Sequence, residues 1–340
     1  MISFNDAALD DPEALASADP WIRPLAEAGA RLRRDADRAL EELADVSSDG
    51  FRPRAVVAIG PEARLLRAVL ELSCPVPFVA WSHHGLPAWV GPLDVVVVLG
   101  GPGSLGSASE ALRRGCRLIV VAQPDSDLAM QTASRSTTLL PAATGDPLDG
   151  AVVALLALRR FGLAPEVDPH AMADAMDAVA EACSHSRDLS HNPAKALAIE
   201  LADSEPLVWG GTVLASRASR RIVEAVRAAS GRVALAADAS DLAPILLAAE
   251  PPDPFEDPFE SGCAPQRLSL LIVSDGMEDA ATRESRTTLE ANAAFAGVRV
   301  STLEHRSGEA LERYVTVLQR GRFAAAYLRL GLSWSAGKGN

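Results

Sequence analysis

Residues 94–110, DVVVVLGGPGSLGSASE, run an apolar stretch into a glycine- and serine-rich turn and then into a helix-forming segment. Val95, Val96, Val97, Val98 and Leu99 show no polar alternation, which predicts a strand covered on both faces, as in a parallel sheet between helix layers. Gly100, Gly101 and Gly103 let the backbone approach a ligand with no Cβ in the way, and Ser104, Ser107 and Ser109 offer hydroxyls. N–H groups opening a helix from about Ser109 would then face an anion at the positive end of the helix dipole. The same residues equally suit a plain β-to-α turn, with glycines at positive φ and serines capping the helix.

The strand sits in a regular alternation. A helix over 20–46 carries the stripe Ile22, Leu25, Ala28, Leu32, Ala36 and Leu40. Strands are expected at 55–59, 77–81, 95–99 and 117–122, helices at 62–72 and 107–114, then a strand at 138–140 and a long helix at 148–161. Strands separated by helices of this length make parallel, doubly wound sheets. A polar-faced helical stretch follows from Asp168, and Ser190-His191-Asn192-Pro193 breaks it before a new helix at Ala194. The alternation then repeats, with strands at 206–209, 233–237, 268–274 and 298–303 and helices at 214–229, 279–296 and 308–320. The pattern divides the chain into a helical extension (1–50), a first α/β subdomain (51–165) and a second (166–340), with an acidic, proline-rich surface loop at 250–262.

A formal net charge of −13 argues against a general nucleic-acid binder or a partner of anionic lipid, and nothing reaches the length of a membrane span. The N-terminal residues carry no basic and apolar leader pattern, so a cytoplasmic protein is expected. Cys74, Cys116, Cys183 and Cys263 lie far apart without metal-ligand spacing, which predicts reduced thiols and no metal site. Neither a G-x-G-x-x-G after the first strand nor a G-x-x-x-x-G-K-[ST] is present, so no nucleotide cofactor is expected.

The two α/β halves, the turn at 100–104 and the run NPAKALAIELADSEPLVWGG at 192–211 together resemble the sugar isomerase (SIS) fold. More narrowly, Asn192-Pro193-Ala194-Lys195, the strand at 206–209, and Ser216-Arg217 with Glu224 seven residues on resemble the bacterial and archaeal bifunctional phosphoglucose/phosphomannose isomerases. The resemblance implies an α/β fold of two SIS-type doubly wound parallel-sheet subdomains, Rossmann-like and three-layered. It implies a homodimer and a sugar-phosphate ligand of the hexose 6-phosphate class. Phosphate-binding positions then fall on Gly60, Gly101, Gly103, Ser104 and Ser107, and the catalytic base on Glu224.

The match is degenerate. The glycine-rich turn after the first strand keeps only Gly60, the serine-rich phosphate turn keeps Gly103 and the hydroxyl of Ser104, and Leu148 stands where an arginine is implied. Arg227 replaces a lysine near Glu224, no histidine occurs in 233–245, and the only lysine near the C-terminus is Lys338.

Aldose–ketose isomerisation needs a base between adjacent carbons, an acid/base for ring opening and donors for the phosphate. Glu224 is the candidate base, with pairing to Arg220, Arg221 or Arg227 as the alternative role. His84, after the second strand, and His191, before a helix start, are further acid/base candidates; neighbouring His83 and His84 point apart in an extended chain, a loop role with Gly85 and Pro87 making the turn competes for His84, and capping or packing at the helix start competes for His191. Asp275-Gly276 reads as a ligand or a tight turn. The expected function is a sugar-phosphate-binding relative with reduced or lost catalysis. The alternatives are an active hexose 6-phosphate isomerase and a structural or regulatory subunit of a partner enzyme.

Overall fold

The computed structural model describes residues 4–47, 50–142, 146–249 and 267–337. The loop at 250–262, Cys263 and Lys338 lie outside the described residues. The chain forms two compact units, Met1–Ala28 with Asp174–Asn340, and Gly29–Ala173.

The unit Gly29–Ala173 holds five strands, β1 (Val56–Ile59), β2 (Phe78–Trp81), β3 (Val95–Val98), β4 (Arg117–Ala122) and β5 (Thr137–Pro141). All pair in parallel, in the order β2-β1-β3-β4-β5. Every residue of β1 and β3 is buried, as unbroken apolar runs require when both faces are covered. One face packs Val57, Ile59, Val96, Val98, Leu118 and Val120 against Ala108 and Ala111 of the helix Ser104–Arg113 and against Leu128 and Ala129 of the helix Asp127–Thr132. The helices Ala63–Leu70 and Pro147–Arg160 also pack on the sheet and on each other. From Leu148 to Leu158 the second of these is buried at every position. Its one internal charge, Asp149, faces Arg31 at 3.6 Å.

The other unit repeats the plan with β6 (Glu205–Gly210), β7 (Leu235–Ala236), β8 (Leu268–Ser274) and β9 (Arg299–Glu304), all parallel, in the order β7-β6-β8-β9. Taken in chain order this is second-first-third-fourth, the same winding as the first four strands of the five-stranded sheet. Leu207, Trp209, Leu270 and Ile272 pack on Leu242, Leu246, Leu289 and Ala293 of the helices Ala239–Leu247 and Ala280–Phe295. The long helix Ala310–Gly337 packs against the helices Val213–Ser230, Pro193–Ala202 and Pro12–Ala26, with Tyr314, Phe323 and Tyr327 fully buried. The expected fold class, two parallel doubly wound α/β sheets, is the one observed.

Four local expectations are corrected. The helix expected over 20–46 is two, Pro12–Ala26 and Ala28–Ala44, because Asp11 caps the first by accepting from the N–H groups of Glu13 and Ala14 at 3.0 and 2.9 Å and Pro12 opens it. The helix after β3 starts at Ser104 rather than 107–109. The strand expected at 233–237 shrinks to two residues, and a helix, Ala239–Leu247, follows it. The last helix does not stop at Arg320 but runs to Gly337: Gly321 lies against Ile222, where a Cβ would come within 2.5 Å of its side chain, so the glycine serves packing instead of ending the helix.

Candidate functional site

In the five-stranded sheet the winding reverses between β1 and β3, which are neighbours. The loops leaving their carboxyl ends diverge to opposite faces, and open α/β sheets bind ligands in the crevice this creates. Gly60 closes β1 at φ +122°, and a Cβ there would sit 2.9 Å from Leu99 Cβ and 3.0 Å from the Gly100 carbonyl. A Cβ on Gly101, at φ +91°, would likewise sit 3.1 Å from Pro61 Cδ. The turns after β1 and β3 therefore touch through glycines.

Gly103, left-handed at φ +77°, is the N-cap of the helix Ser104–Arg113, and no side chain caps it. Ser104 donates its hydroxyl to the Gly101 carbonyl at 2.7 Å. Ser107 is buried; its hydroxyl donates to the Gly103 carbonyl at 3.4 Å and accepts from the Gly85 N–H at 3.1 Å. Ser107 thus ties the loop after β2 to the helix. His84, on that loop, lies over Gly103, whose Cβ would come within 2.5 Å of the ring Nδ1. The structure gathers Gly60, Gly101, Gly103, Ser104, Ser107 and His84 at one edge of one sheet. His83 lies edge-on to Trp81, with ring centroids 5.0 Å apart.

The carboxylates nearby are Glu62 and Glu110. Glu62 is buried at the start of the helix Ala63–Leu70 and makes no capping bond to it. Glu110 faces Gly85 and bonds Arg114, which also donates to the Pro87 and Val90 carbonyls at 2.8 and 3.2 Å.

Glu224 and His191 belong to the other unit. Glu224 is exposed on the helix Val213–Ser230 and accepts a hydrogen bond from Arg221, three residues earlier. His191 is exposed too, with Nδ1 2.8 Å from both Asp188 Oδ1 and Ser190 Oγ. The bonds from Ser190 and His191 pull the Asp188 carboxyl down to about 2.

The second sheet has its own reversal, between β6 and β8. There, buried Asp275 accepts from the Thr212 hydroxyl at 2.7 Å and from the Met277 N–H at 3.2 Å. Thr212 in turn caps the helix Val213–Ser230 by accepting from the Ala215 N–H at 3.1 Å. A carboxylate of the chain itself therefore stands at the helix start of this edge, whereas the helix start at Gly103 has no side-chain cap.

The run Asn192–Lys195 is architectural. Asn192 accepts from the Ala194 and Lys195 N–H groups at 3.0 and 3.1 Å and donates to the Ser184 carbonyl at 2.9 Å. Lys195, fully buried, donates to Asp10 Oδ1 at 2.8 Å and to the Arg187 and His185 carbonyls at 2.7 and 3.2 Å. Asp10, which the sequence reading did not single out, is its ionic partner. Among the described residues, no group of three or more His, Cys, Asp or Glu could hold a metal ion, and no helix is long and apolar enough to cross a membrane. Cys74, Cys116 and Cys183 are free thiols.

No protein-family model and no curated protein matches the chain. Solved structures do. A candidate phosphosugar isomerase from Silicibacter pomeroyi DSS-3 is 12% identical, with a TM-score of 0.65 over 93% of this chain and 98% of that one. Tagatose-6-phosphate ketose/aldose isomerase from Escherichia coli is 13% identical, with a TM-score of 0.56 over 98% and 94%. The C-terminal domain of glucosamine-fructose-6-phosphate aminotransferase from Francisella tularensis is 10% identical, with a TM-score of 0.58 over 89% and 95%. At these identities the likeness is one of fold: the chain has the two-sheet architecture of phosphosugar isomerase and SIS-type proteins.

Proposed function

We propose that this protein binds a sugar phosphate of the hexose 6-phosphate class, with its phosphate over the turn Gly100–Ser104, and that its isomerase chemistry is reduced or lost. The observation that carries the reading is the glycine-lined, side-chain-uncapped helix start beside the strand-order reversal, in a fold shared with phosphosugar isomerases. Backbone N–H groups and the helix dipole there offer an anion fixed donors within a chain of net charge −13. Glu224, exposed and bonded to Arg221, is held as a surface ion pair, which favours a binder over a catalyst. The active-isomerase reading keeps Glu224 as the base, and the subunit reading requires a partner enzyme.

The same proposal includes a cytoplasmic homodimer, an isologous pair being the commonest oligomer. The test is a thermal-shift and calorimetric panel of glucose, mannose and fructose 6-phosphates beside a coupled isomerase assay. Saturable binding without turnover is expected. Turnover abolished by Glu224→Gln would establish the isomerase instead, and no binding of any member would refute the reading. Light scattering returning the single-chain mass of 35.6 kDa at every concentration would refute the dimer.

A further inference from the structure

We propose that the cavity beside Asp10 is a ligand site for an organic carboxylate, which replaces the Asp10 side chain on the buried ammonium of Lys195 and lays its apolar body along the helix Pro12–Ala26. Asp10 is then the site's internal occupant, a latch carried by the chain itself. The cavity, of about 740 Å³, lies between one face of that helix and the turn 185–188, a size that admits a small organic molecule. It lies wholly within the unit that holds the second sheet, and the inference stands apart from the sugar-phosphate reading.

The Lys195 side chain is 1% exposed, and the groups that hold its Nζ are Asp10 Oδ1 and the carbonyls of His185 and Arg187, all from residues on the cavity wall. The ammonium therefore stands one residue behind that wall. Two of the three partners are backbone carbonyls fixed by the turn, and only the carboxylate neutralises the charge, which a buried cation requires. The Asp10 side chain is 47% exposed, so it is the partner that can swing out to water. Its other oxygen accepts from the Leu189 N–H, so ammonium and amide make a two-point seat with the spacing of a carboxylate. Beside the seat, the His185 ring and Arg187 Nη1 make no hydrogen bond among the described residues, since Arg187 uses Nε and Nη2 on Glu181. The other carboxylates on the wall are engaged, Asp19 with Arg23 and Asp188 with Ser190 and His191. Pro12, Leu15, Ala16 and Ile22 give the helix side of the cavity an apolar surface, which selects an aliphatic acid over a wholly polar anion.

The experiment titrates 4-methylpentanoate into the full chain at neutral pH and constant ionic strength, by calorimetry and thermal shift, with 4-methylpentanamide as the neutral control. Wild type should bind the acid saturably in the millimolar range and ignore the amide. Asp10 acts as a tethered competitor, so Asp10→Ala should bind the acid about tenfold more tightly, and the acid should raise that variant's melting temperature towards the wild-type value. Ala16→Trp, an exposed change that fills the cavity and leaves the seat intact, should abolish binding of the acid while Asp10→Ala/Ala16→Trp still binds acetate. Lys195→Met, folded by its own melting transition, should bind neither. Absence of saturable binding by wild type would overturn the site and leave Asp10 a permanent ion-pair partner. Equal affinity of wild type and Asp10→Ala would overturn the displacement, and equal binding of acid and amide, or binding unchanged in Ala16→Trp, would overturn the assignment of the ligand to this cavity.

Discussion

Replacing Lys195 by Met keeps the volume and the apolar stem and removes one buried charge with three hydrogen bonds. Its ammonium also lies 5.6 Å from the centroid of the buried Tyr327 ring. The half-exposed Asp10 carboxylate can turn to water and keeps the bond it accepts from the Leu189 N–H at 3.2 Å, so its share of the loss is small. The His185 and Arg187 carbonyls are left facing a thioether, at about 1–2 kcal/mol each. Relief of the lysine's own desolvation offsets part of this, so the net loss is about 1–3 kcal/mol, below the range for stranding a buried charge because Asp10 reaches water. A loss of that size lowers the melting temperature by roughly 2–12 °C in a unit of this length. Urea and thermal unfolding followed by circular dichroism measure it, and Lys195→Met combined with Asp10→Asn should cost clearly less than the sum of the two single changes. A loss below about 1 kcal/mol, or strict additivity, would refute the account of Lys195 as the tie between the N-terminal residues and the start of the helix Pro193–Ala202.

Tyr327→Phe removes the hydroxyl that donates to the Cys183 carbonyl at 2.7 Å in a fully buried setting, and chemical denaturation should show a loss of about 1–3 kcal/mol. Burial pushes the Cys183 thiol up to about 11 and also raises Cys116, so iodoacetamide at pH 8 followed by peptide mapping should find half-buried Cys74 alkylated and both of these protected. The Asp188 carboxyl is depressed to about 2, so its contribution is complete above the ordinary carboxylate value and disappears as pH falls from there towards 2; stability curves of wild type and Asp188→Asn should converge over that interval.

Local signals were readable in the amino-acid order and non-local ones were not. β4 and β8 have the bounds expected from the sequence, 117–122 and 268–274, because each is built on an apolar run, Leu118–Ala122 and Leu270–Val273, that stops at a polar residue. The cradle glycines were legible since positive φ and close turn-to-turn contact are demands that only glycine meets. The helix start at Ser104 is hidden in the sequence because serines suit cap positions, whereas Gly103 takes the cap and Ser104 and Ser107 bond backward to carbonyls. The full length of the last helix was hidden for a similar reason. Gly321 reads as a terminator, and only the packed neighbour Ile222 shows why it continues. His84 on Gly103 and Lys195 on Asp10 join segments distant in sequence, and no local pattern announces either contact.

The two sheets wind alike, yet their reversal points are built with different chemistry, and Asp275 is where the difference can be measured. Its carboxylate is buried at the start of the helix Val213–Ser230, accepting from Thr212 and Met277, so it occupies the place that suits an anion at a helix N-terminus. Asp275→Ala strips two hydrogen bonds to a charged acceptor and leaves the Thr212 hydroxyl without this partner, for an expected loss of about 2–4 kcal/mol. Asp275→Asn keeps an oxygen for the Met277 N–H and a polar group beside Thr212, losing only the charge at the helix start, so about 1 kcal/mol is expected. Equilibrium urea unfolding of the two variants separates these contributions. If Asn costs as much as Ala, the negative charge and not the hydrogen-bond geometry holds this edge together. If neither costs more than about 0.5 kcal/mol, Asp275 is not a structural anion at all, and the second edge would be open to a ligand on the same terms as the first.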